Sequence, residues 1–389
     1  MKIRVSLTLN AVFLTMFLIC LSACKKEHPN PVTSNPDGST IVTNPITIDV
    51  FPVMSTANSG KIYLQTVSIG NDAIVLPITF DTGSAGLTLR AQSIFPSTVV
   101  DSTGFKFQNG KDTIQYKGIT ITNIKAQKNY GSTATVMTQE TGNIGYATLA
   151  VGDANGVVKM KKMPILFYYS DTGNGVEKAN PFAGTFGVNT SNNGAPESAD
   201  STQVYPLVSP LKYLQYTNGI LAGYKLAMVT LEGCDINTAG SCVPKALLTI
   251  GLTANDESGY AINTLNISNP QPVYPQLVGA PAYPNYSTFD PTIPGCLITN
   301  SVRRKTTNVL LDTGNPGVNL NLSKDSLNIS NYPNLSVTTP SNTVFSYNYN
   351  TVSFSTAFDA TAKRSVFGIY FFTNFNFLED YQNGRIGLK

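Results

Sequence analysis

Two short segments of the sequence carry residues suited to acid–base chemistry. The tripeptide Asp-Thr-Gly occurs at residues 81–83 and again at residues 312–314, each time directly after an apolar run. A further glycine lies five residues after each aspartate. Asp81 and Asp312 are 231 residues apart, so each half of a two-lobed molecule would supply one carboxyl group. Two carboxylates held face to face cannot both ionise at low cost, and a pair that shares one proton can activate water.

The histidine content excludes several other kinds of enzyme. The single histidine is His28, which lies before the predicted folded region. A Ser-His-Asp or Cys-His enzyme needs a histidine in its fold, and a catalytic zinc site usually needs two or three. No Walker-type phosphate loop is present. We therefore expect no metal site and no cofactor.

The charge pattern argues against a nucleic-acid partner. Charged residues make up only 13% of the chain, the formal net charge is +3, and the longest basic run is three residues, at 303–305. Nucleic-acid binding usually requires a basic patch or stripe. Peptides or proteins remain the expected partners, and we expect a monomer.

The N-terminal residues are typical of an export signal. A basic start, an apolar run and the sequence Leu-Ser-Ala-Cys predict a signal peptide over residues 1–23. Cys24 resembles the lipid-modified cysteine of bacterial lipoproteins, although a plain signal peptide with an incidental cysteine is the alternative. Residues 24–45 are polar and rich in proline, which predicts a flexible tether. These features predict a cell-envelope protein anchored by lipid, in the outer membrane of a Gram-negative bacterium.

From about residue 46 the sequence is typical of an all-β protein. Short alternating runs rich in Val, Ile, Thr, Tyr and Phe are separated by Gly, Asn, Asp and Pro. Helical periodicity is scarce, and one short helix is predicted over residues 210–216. The length suggests two lobes, which we place at residues 46–195 and 196–389.

Several motifs together resemble the pepsin-like aspartic proteases. Besides the two Asp-Thr-Gly loops, the resemblance is carried by segments at residues 67–70, 130–132, 145–152, 183–188, 365–368, 371–377 and 383–388. The resemblance covers residues 46–389 in the expected order. It implies a bilobal acid protease fold, with two six-stranded-barrel-type lobes and an active-site cleft between them. It also implies an aspartic endopeptidase that hydrolyses peptide bonds.

The resemblance assigns roles to the residues of both loops. Asp81 and Asp312 would be the catalytic pair, with Gly83 and Gly314 allowing close approach of the backbone. Thr82 and Thr313 would each reach across to the opposite loop, although ordinary turn hydroxyls are the alternative. The position after each glycine would support the adjacent carboxyl. Ser84 fits that role, whereas Asn315 departs from the family pattern and is expected to donate through its amide.

The same resemblance points to a mobile hairpin over the cleft. Tyr130 would be the tyrosine of this flap, and a half-buried strand tyrosine is the alternative of equal weight. The chain contains no tryptophan, and Thr88 occupies the position seven residues after Asp81 where the family often has one.

Three cysteines remain in the predicted folded region. Cys234 and Cys242 flank a turn-like segment and are candidates for a local disulfide in an exported protein. Cys296 is then unpaired and expected to be buried, with a Cys242–Cys296 bond as the alternative.

Two other functions are compatible with the sequence. A catalytically inactive pepsin-fold protein could bind peptides, glycans or a protein partner at the cell surface. A surface β-sandwich adhesin could carry the Asp-Thr-Gly turns by chance. The second alternative requires Asp81 and Asp312 to lie far apart.

Overall fold

Strands form most of the described chain. The computed structural model describes residues 33–56, 59–131, 138–173, 176–177, 182–191, 207–217, 219–231, 246–268, 281–351 and 355–389. In chain order the strands are β1 Thr33–Ser34, β2 Thr40–Val42, β3 Ile46–Thr56, β4 Ser59–Ile69, β5 Pro77–Asp81, β6 Ala85–Arg90, β7 Val100–Asp101, β8 Gly104–Phe105, β9 Thr113–Tyr116, β10 Ile119–Tyr130, β11 Thr138–Gly152, β12 Val157–Gly173, β13 Val176–Glu177, β14 Gly184–Val188, β15 Gln215–Tyr216, β16 Leu221–Leu226, β17 Ala246–Leu252, β18 Ala261–Thr264, β19 Thr292–Thr299, β20 Arg304–Leu311, β21 Val318–Leu320, β22 Asn334–Thr338, β23 Val344–Asn348, β24 Thr356–Phe358, β25 Ser365–Phe367, β26 Phe377–Asp380 and β27 Arg385–Leu388.

The helices of the described residues are short. They are the α-helix α1, Lys324–Leu327, and the 3-10 helices Ala91–Ser93, Pro210–Tyr213 and Ile369–Phe371. The helix predicted over residues 210–216 is therefore too long. It ends at Tyr213 because the following residues form β15, which pairs in parallel with β2. None of the helices in the described ranges is long and apolar enough to cross a membrane.

The same arrangement of strands occurs in both halves of the chain. In the first half, β14 lies between β5 and β6, parallel to one and antiparallel to the other. In the second half, β25 lies between β20 and β21 in the same way. A further strand runs parallel to the outer partner in each case, β12 beside β6 and β24 beside β21. The loops β5–β6 and β20–β21, which contain the two Asp-Thr-Gly segments, are therefore held in equivalent positions.

Six antiparallel strands, drawn from both ends of the chain, pair with one another in one sheet. Its order is β18-β27-β26-β16-β17-β3, and β3 continues through its second half into pairing with β4. A separate seven-stranded sheet carries β20, β21 and β25. The boundary that we predicted between residues 195 and 196 lies outside the described residues.

Residues 33–45 correct the prediction of a tether over residues 24–45. They include β1 and β2, which pair with each other; β2 also pairs with β15, and the side chain of Val42 is fully buried. The backbone N–H of Lys159 donates to the hydroxyl of Thr40 at 2.9 Å. The polar composition was misleading because these residues dock through backbone pairing and small side chains rather than a large apolar face. Residues 1–32, which include Cys24, lie outside the described residues.

Aromatic side chains fill the core beneath the two loops. Phe80, the residue before Asp81, is fully buried. Its ring stacks on that of Phe186 and packs edge-on against that of Tyr224, with distances between ring centres of 6.5 Å and 5.7 Å. Beneath the second loop, Phe367 packs against Phe345 and other phenylalanines. Close packing of this kind resists displacement, so the loops above are firmly positioned.

Candidate active site

The two aspartates lie at the ends of equivalent strands. Asp81 is the last residue of β5, and Asp312 directly follows β20. The backbone N–H of Asp312 donates to the carbonyl of Phe367 in β25 at 2.9 Å. A Cβ atom built on Gly314 would lie 2.9 Å from Oδ1 of Asp81 and 3.1 Å from Oδ1 of Asp312, so the two carboxyl groups lie side by side. This proximity contradicts the adhesin alternative, which requires the two carboxyl groups to be far apart.

The glycines of the two loops permit this close approach. A Cβ atom built on Gly83 would lie 2.2 Å from Cγ of Asp312, and one built on Gly314 would lie 2.9 Å from Cγ of Asp81. Real Cβ atoms do not approach other atoms at such distances. Each carboxyl group therefore lies against the glycine of the opposite loop, and a side chain at Gly83 would force Asp312 to move.

The two carboxyl groups have different hydrogen-bond donors. Asp81 accepts from the backbone N–H of Gly83 at 2.7 Å through Oδ1, and from the Ser84 hydroxyl at 2.5 Å through Oδ2. Asp312 accepts from the backbone N–H of Gly314 at 2.8 Å through Oδ1. Donors stabilise the charged form of a carboxyl, and Asp312 has only the one backbone N–H to offset the cost of its burial.

Burial and the neighbouring charge act on Asp312 in the same direction. Desolvation, followed by the negative charge and hydrogen bond of Asp81, raises the pKa of Asp312 well above its ordinary value of 3.8. The backbone N–H of Gly314 and the more distant Arg364 oppose this rise. Asp312 is consequently the carboxyl that retains its proton as the pH increases.

Asn315 does not support Asp312 in the way that the sequence suggested. Its side-chain oxygen accepts from the backbone N–H of Gly317 at 3.0 Å, and its backbone carbonyl accepts from Ile369 at 2.9 Å. Among the hydrogen bonds of the described residues, none joins the Asn315 amide to the Asp312 carboxyl. The short Asn315 side chain instead makes a local hydrogen bond to the backbone two residues further along the chain.

The two threonines join the loops by a symmetrical set of hydrogen bonds. The backbone N–H of Thr82 donates to Oγ1 of Thr313, and the backbone N–H of Thr313 donates to Oγ1 of Thr82, both at 3.0 Å. The Thr82 hydroxyl donates to the carbonyl of Leu311 at 2.9 Å, and the Thr313 hydroxyl donates to that of Phe80 at 2.7 Å. The cross-loop contacts implied by the family resemblance are thus present.

Tyr130 lies at the end of β10, in the hairpin that β10 forms with β11. Its hydroxyl donates to Oε2 of Glu140 at 3.1 Å and lies 3.2 Å from Oγ1 of Thr88. Thr88 therefore occupies the position next to Tyr130 where the resembled family often has a tryptophan. The tip of the hairpin, residues 132–137, lies outside the described residues.

Sequence reasoning missed two charged residues in this region, Lys128 and Glu140. Both are buried, and they face each other across β10 and β11. The sequence could have revealed Lys128, because side chains alternate between the two faces of a strand and Ala126, Lys128 and Tyr130 of β10 therefore lie on one face. A lysine on the face that carries the candidate flap tyrosine is unusual enough to have been singled out.

The cysteine predictions divide between described and undescribed residues. Cys296 is free and buried, as the sequence predicted, which excludes the alternative bond to Cys242. Burial raises the pKa of its thiol to about 12. Cys234 and Cys242 lie outside the described residues, so the disulfide stays a prediction.

The fold is the all-β, bilobal fold of the pepsin-like aspartic proteinases, and this prediction is confirmed. The chain is similar to the solved structure of the aspartic proteinase from Irpex lacteus, with a TM-score of 0.53 and 14% sequence identity. The similarity covers 89% of this chain and 97% of the fungal one. No protein-family model and no curated protein sequence matches the chain.

Proposed function

We propose that this protein is an aspartic endopeptidase in which Asp81 and Asp312 activate water for peptide-bond hydrolysis. The observation that carries the proposal is the side-by-side placement of the two carboxyl groups where the two equivalent loops meet. Likeness to a fungal aspartic proteinase supports it at the level of the fold. Shared-proton chemistry needs two carboxyl groups in contact, one ionised and one protonated.

The surroundings of the two carboxyl groups suggest which one acts as the general base and which as the general acid. Asp81, with two donors, would be the ionised general base, and Asp312, with its raised pKa, would be the protonated general acid. Asp81 takes a proton from a water molecule held between the two carboxyl groups as the water oxygen attacks the peptide carbonyl carbon. Asp312 gives its proton to the carbonyl oxygen, which yields a neutral tetrahedral diol.

Collapse of this intermediate completes the reaction. Asp81 returns the proton to the peptide nitrogen, the C–N bond breaks, and one hydroxyl proton of the diol returns to Asp312. Both carboxyl groups then have their starting protonation states. The β10–β11 hairpin, with Tyr130 near its tip, would cover the substrate and limit the access of bulk water.

The test of this function is cleavage of an unfolded protein such as casein as a function of pH. We expect a bell-shaped profile with an acidic to mildly acidic optimum, because activity requires ionised Asp81 and protonated Asp312. A pepstatin-like transition-state mimic should inhibit the cleavage. Activity that rises steadily into the alkaline range would contradict the proposal. Inhibitor binding without cleavage at any pH would instead favour the inactive pepsin-fold binding protein.

We also propose that the protein is held at a bacterial envelope membrane through a lipid on Cys24. The signal-like residues 1–23 and the Leu-Ser-Ala-Cys sequence support this. In a Gram-negative host, the wild-type protein should enter the detergent phase of a Triton X-114 partition, because acyl chains anchor proteins to membranes. Cys24→Ser should move it to the aqueous phase, and an unchanged partition would contradict the lipid anchor.

A further inference from the structure

A buried lysine joins the β10–β11 hairpin to the loop that carries Asp81. The Lys128 side chain of β10 is only 4% exposed, and its Nζ donates to the carbonyl of Ala85 at 2.8 Å. Ala85 directly follows Ser84, whose hydroxyl donates to Asp81. A single hydrogen bond therefore connects the hairpin to the loop that holds one of the two aspartates.

Tyr130 and Glu140 make a second connection close to the first. The Tyr130 hydroxyl lies 3.2 Å from Oγ1 of Thr88, a fully buried residue of β6, and donates to Oε2 of Glu140 on β11 at 3.1 Å. The Nζ of Lys128 lies 4.9 Å from the centre of the Tyr130 ring, and Lys128 is directly opposite Glu140 in the strand register. Both strands of the hairpin are thus linked to β6 through side chains.

The order of the strands makes these contacts unusual. In the sheet, β12 and β11 lie between β6 and β10, so β10 is three strand positions from β6. Neighbouring strands are about 4.8 Å apart, so in a flat sheet β10 would lie about 14 Å from β6. Hydrogen-bond distances between the two strands require the sheet to fold back on itself. The hairpin is therefore curled over the start of β6, where Ala85 and Thr88 lie.

Side chains contribute to this curled position because backbone pairing reaches only one edge of the strand. Residues 125–130 of β10 pair with β11, and no other strand of the described ranges pairs with this part of β10. Burying an ammonium is costly, and an apolar side chain of similar volume commonly stabilises such a position as well or better. Lys128 is therefore better explained by its bond to Ala85 than by its packing. Burial lowers the pKa of Lys128 to about 8, so below that pH the amine is protonated and the bond is charge-assisted.

We propose that Lys128 is a positioning residue that holds the β10–β11 hairpin, and with it Tyr130, curled over the loop of Asp81. The hairpin then lies where it can cover a peptide bound at the two carboxyl groups. The consequence for peptide binding rests on the proposed function, whereas the position of the hairpin does not.

The first test measures backbone amide hydrogen exchange in wild-type and Lys128→Met protein without substrate. The hydrogen-bonded amides of residues 124–130 and 138–144 should exchange about tenfold faster or more in the variant, because a hydrogen bond to a charged group contributes about that much to local stability. The β22–β23 hairpin, residues 334–348, is an internal reference and should keep its wild-type rates.

A second pair of variants covers the case in which Lys128→Met folds poorly. The comparison is then made between Glu140→Gln and the double variant. Glutamine keeps an acceptor for the Tyr130 hydroxyl and removes the buried charge that Lys128→Met leaves without its partner. The same faster exchange is expected in the double variant, and its absence would reject the role of Lys128.

Lys212 provides a matched control. It is also buried, donates to the carbonyl of Thr190 at 2.8 Å and lies 5.3 Å from the centre of the Tyr381 ring. The backbone N–H of Thr190 in turn donates to a buried acid, Glu379, at 2.8 Å. Lys212 belongs to the 3-10 helix Pro210–Tyr213 rather than to the hairpin. Lys212→Met should lose a similar amount of global stability and leave exchange in the β10–β11 hairpin unchanged. Equal acceleration in both variants, or none in Lys128→Met, would overturn the inference.

The second test measures the release of a pepstatin-like transition-state mimic. If the hairpin covers the bound mimic, it must open before the mimic leaves, so the dissociation rate should rise in Lys128→Met by about the same factor as the exchange rate of the hairpin. Lys212→Met should release the mimic at the wild-type rate. Faster exchange of the hairpin with an unchanged dissociation rate would show that Lys128 does not position the hairpin over the site.

The exchange measurement also separates this inference from the proposed function, because it needs neither cleavage nor a ligand. If the wild-type protein neither cleaves nor binds the mimic, but Lys128→Met alone accelerates exchange in the hairpin, the proposed function fails and the role of Lys128 in holding the hairpin stands. If the wild-type protein cleaves and exchange in the hairpin does not change in Lys128→Met, the proposed function stands and the role of Lys128 is rejected.

Discussion

Asp81→Asn and Asp312→Asn should each lower kcat/KM for peptide cleavage by about 10²–10⁴-fold, the usual contribution of a general acid or base. An asparagine at residue 81 cannot take a proton from water, and one at residue 312 cannot give one to the carbonyl oxygen. Cleavage of casein at the optimal pH measures both effects. Because the two carboxyl groups act as a unit, the double variant should be little worse than either single variant.

Asp380→Asn is the matched control for these variants. Asp380 is fully buried, ends β26, and accepts from the backbone N–H groups of Gln382 and Asn383, much as Asp81 accepts within its own loop. The control should keep most of the activity of whatever fraction is folded. Cleavage that survives in Asp81→Asn at near wild-type rates would reject the enzyme and favour a pepsin-fold protein that only binds its partner.

The stability of Asp312→Asn gives an independent check on the role of Asp312. Because folding raises the pKa of Asp312, the wild-type free energy of unfolding includes a contribution that is fully present below pH 3.8 and is lost as the pH rises toward the raised value. Because asparagine does not titrate, the variant does not lose this part of its free energy of unfolding as the pH rises. Denaturant unfolding should therefore show a smaller decline in stability between acidic and neutral pH for Asp312→Asn than for the wild type.

Thr313→Val should reduce both stability and activity, because it removes the two cross-loop hydrogen bonds of the Thr313 hydroxyl. The variant leaves the backbone N–H of Thr82 and the carbonyl of Phe80 without their partner, at a cost of about 1–3 kcal/mol each. The loops should then separate slightly, and a displacement of about 1 Å can cost about 100-fold in rate. Thr82→Val should behave alike, since its contacts are equivalent.

Thr66→Val separates the effect of the cross-loop bonds from the loss of a buried threonine. Thr66 is buried, accepts from the backbone N–H of Leu76 at 2.8 Å and donates to the carbonyl of Ile74 at 2.6 Å. Its variant should lose a similar amount of stability, measured by denaturant unfolding, while kcat/KM changes little. Equal and small effects of Thr66→Val and Thr313→Val on kcat/KM would mean that the cross-loop bonds do not position the carboxyl groups.

Local sequence patterns predicted the strands, the repeated loop and its two aspartates. Apolar runs that end in Asp-Thr-Gly encode a strand followed by a tight loop, and this information lies within a few residues. The same patterns failed at residues 33–45, where a polar composition suggested a tether. Within them, β2 pairs with β15, which lies far along the chain, and no local signal records such a partner.

The sequence by itself determined an all-β chain with two equivalent acidic loops, and it predicted the chemical kind of the candidate site. Only the tertiary structure decided that the two carboxyl groups lie side by side, that the Asn315 side chain bonds to Gly317, and that Lys128 is buried beside Ala85. The physical reason is the range of the interactions. Strand alternation and turn chemistry act between near neighbours, whereas burial, pKa shifts and cross-loop hydrogen bonds depend on residues that meet only when the sheets assemble.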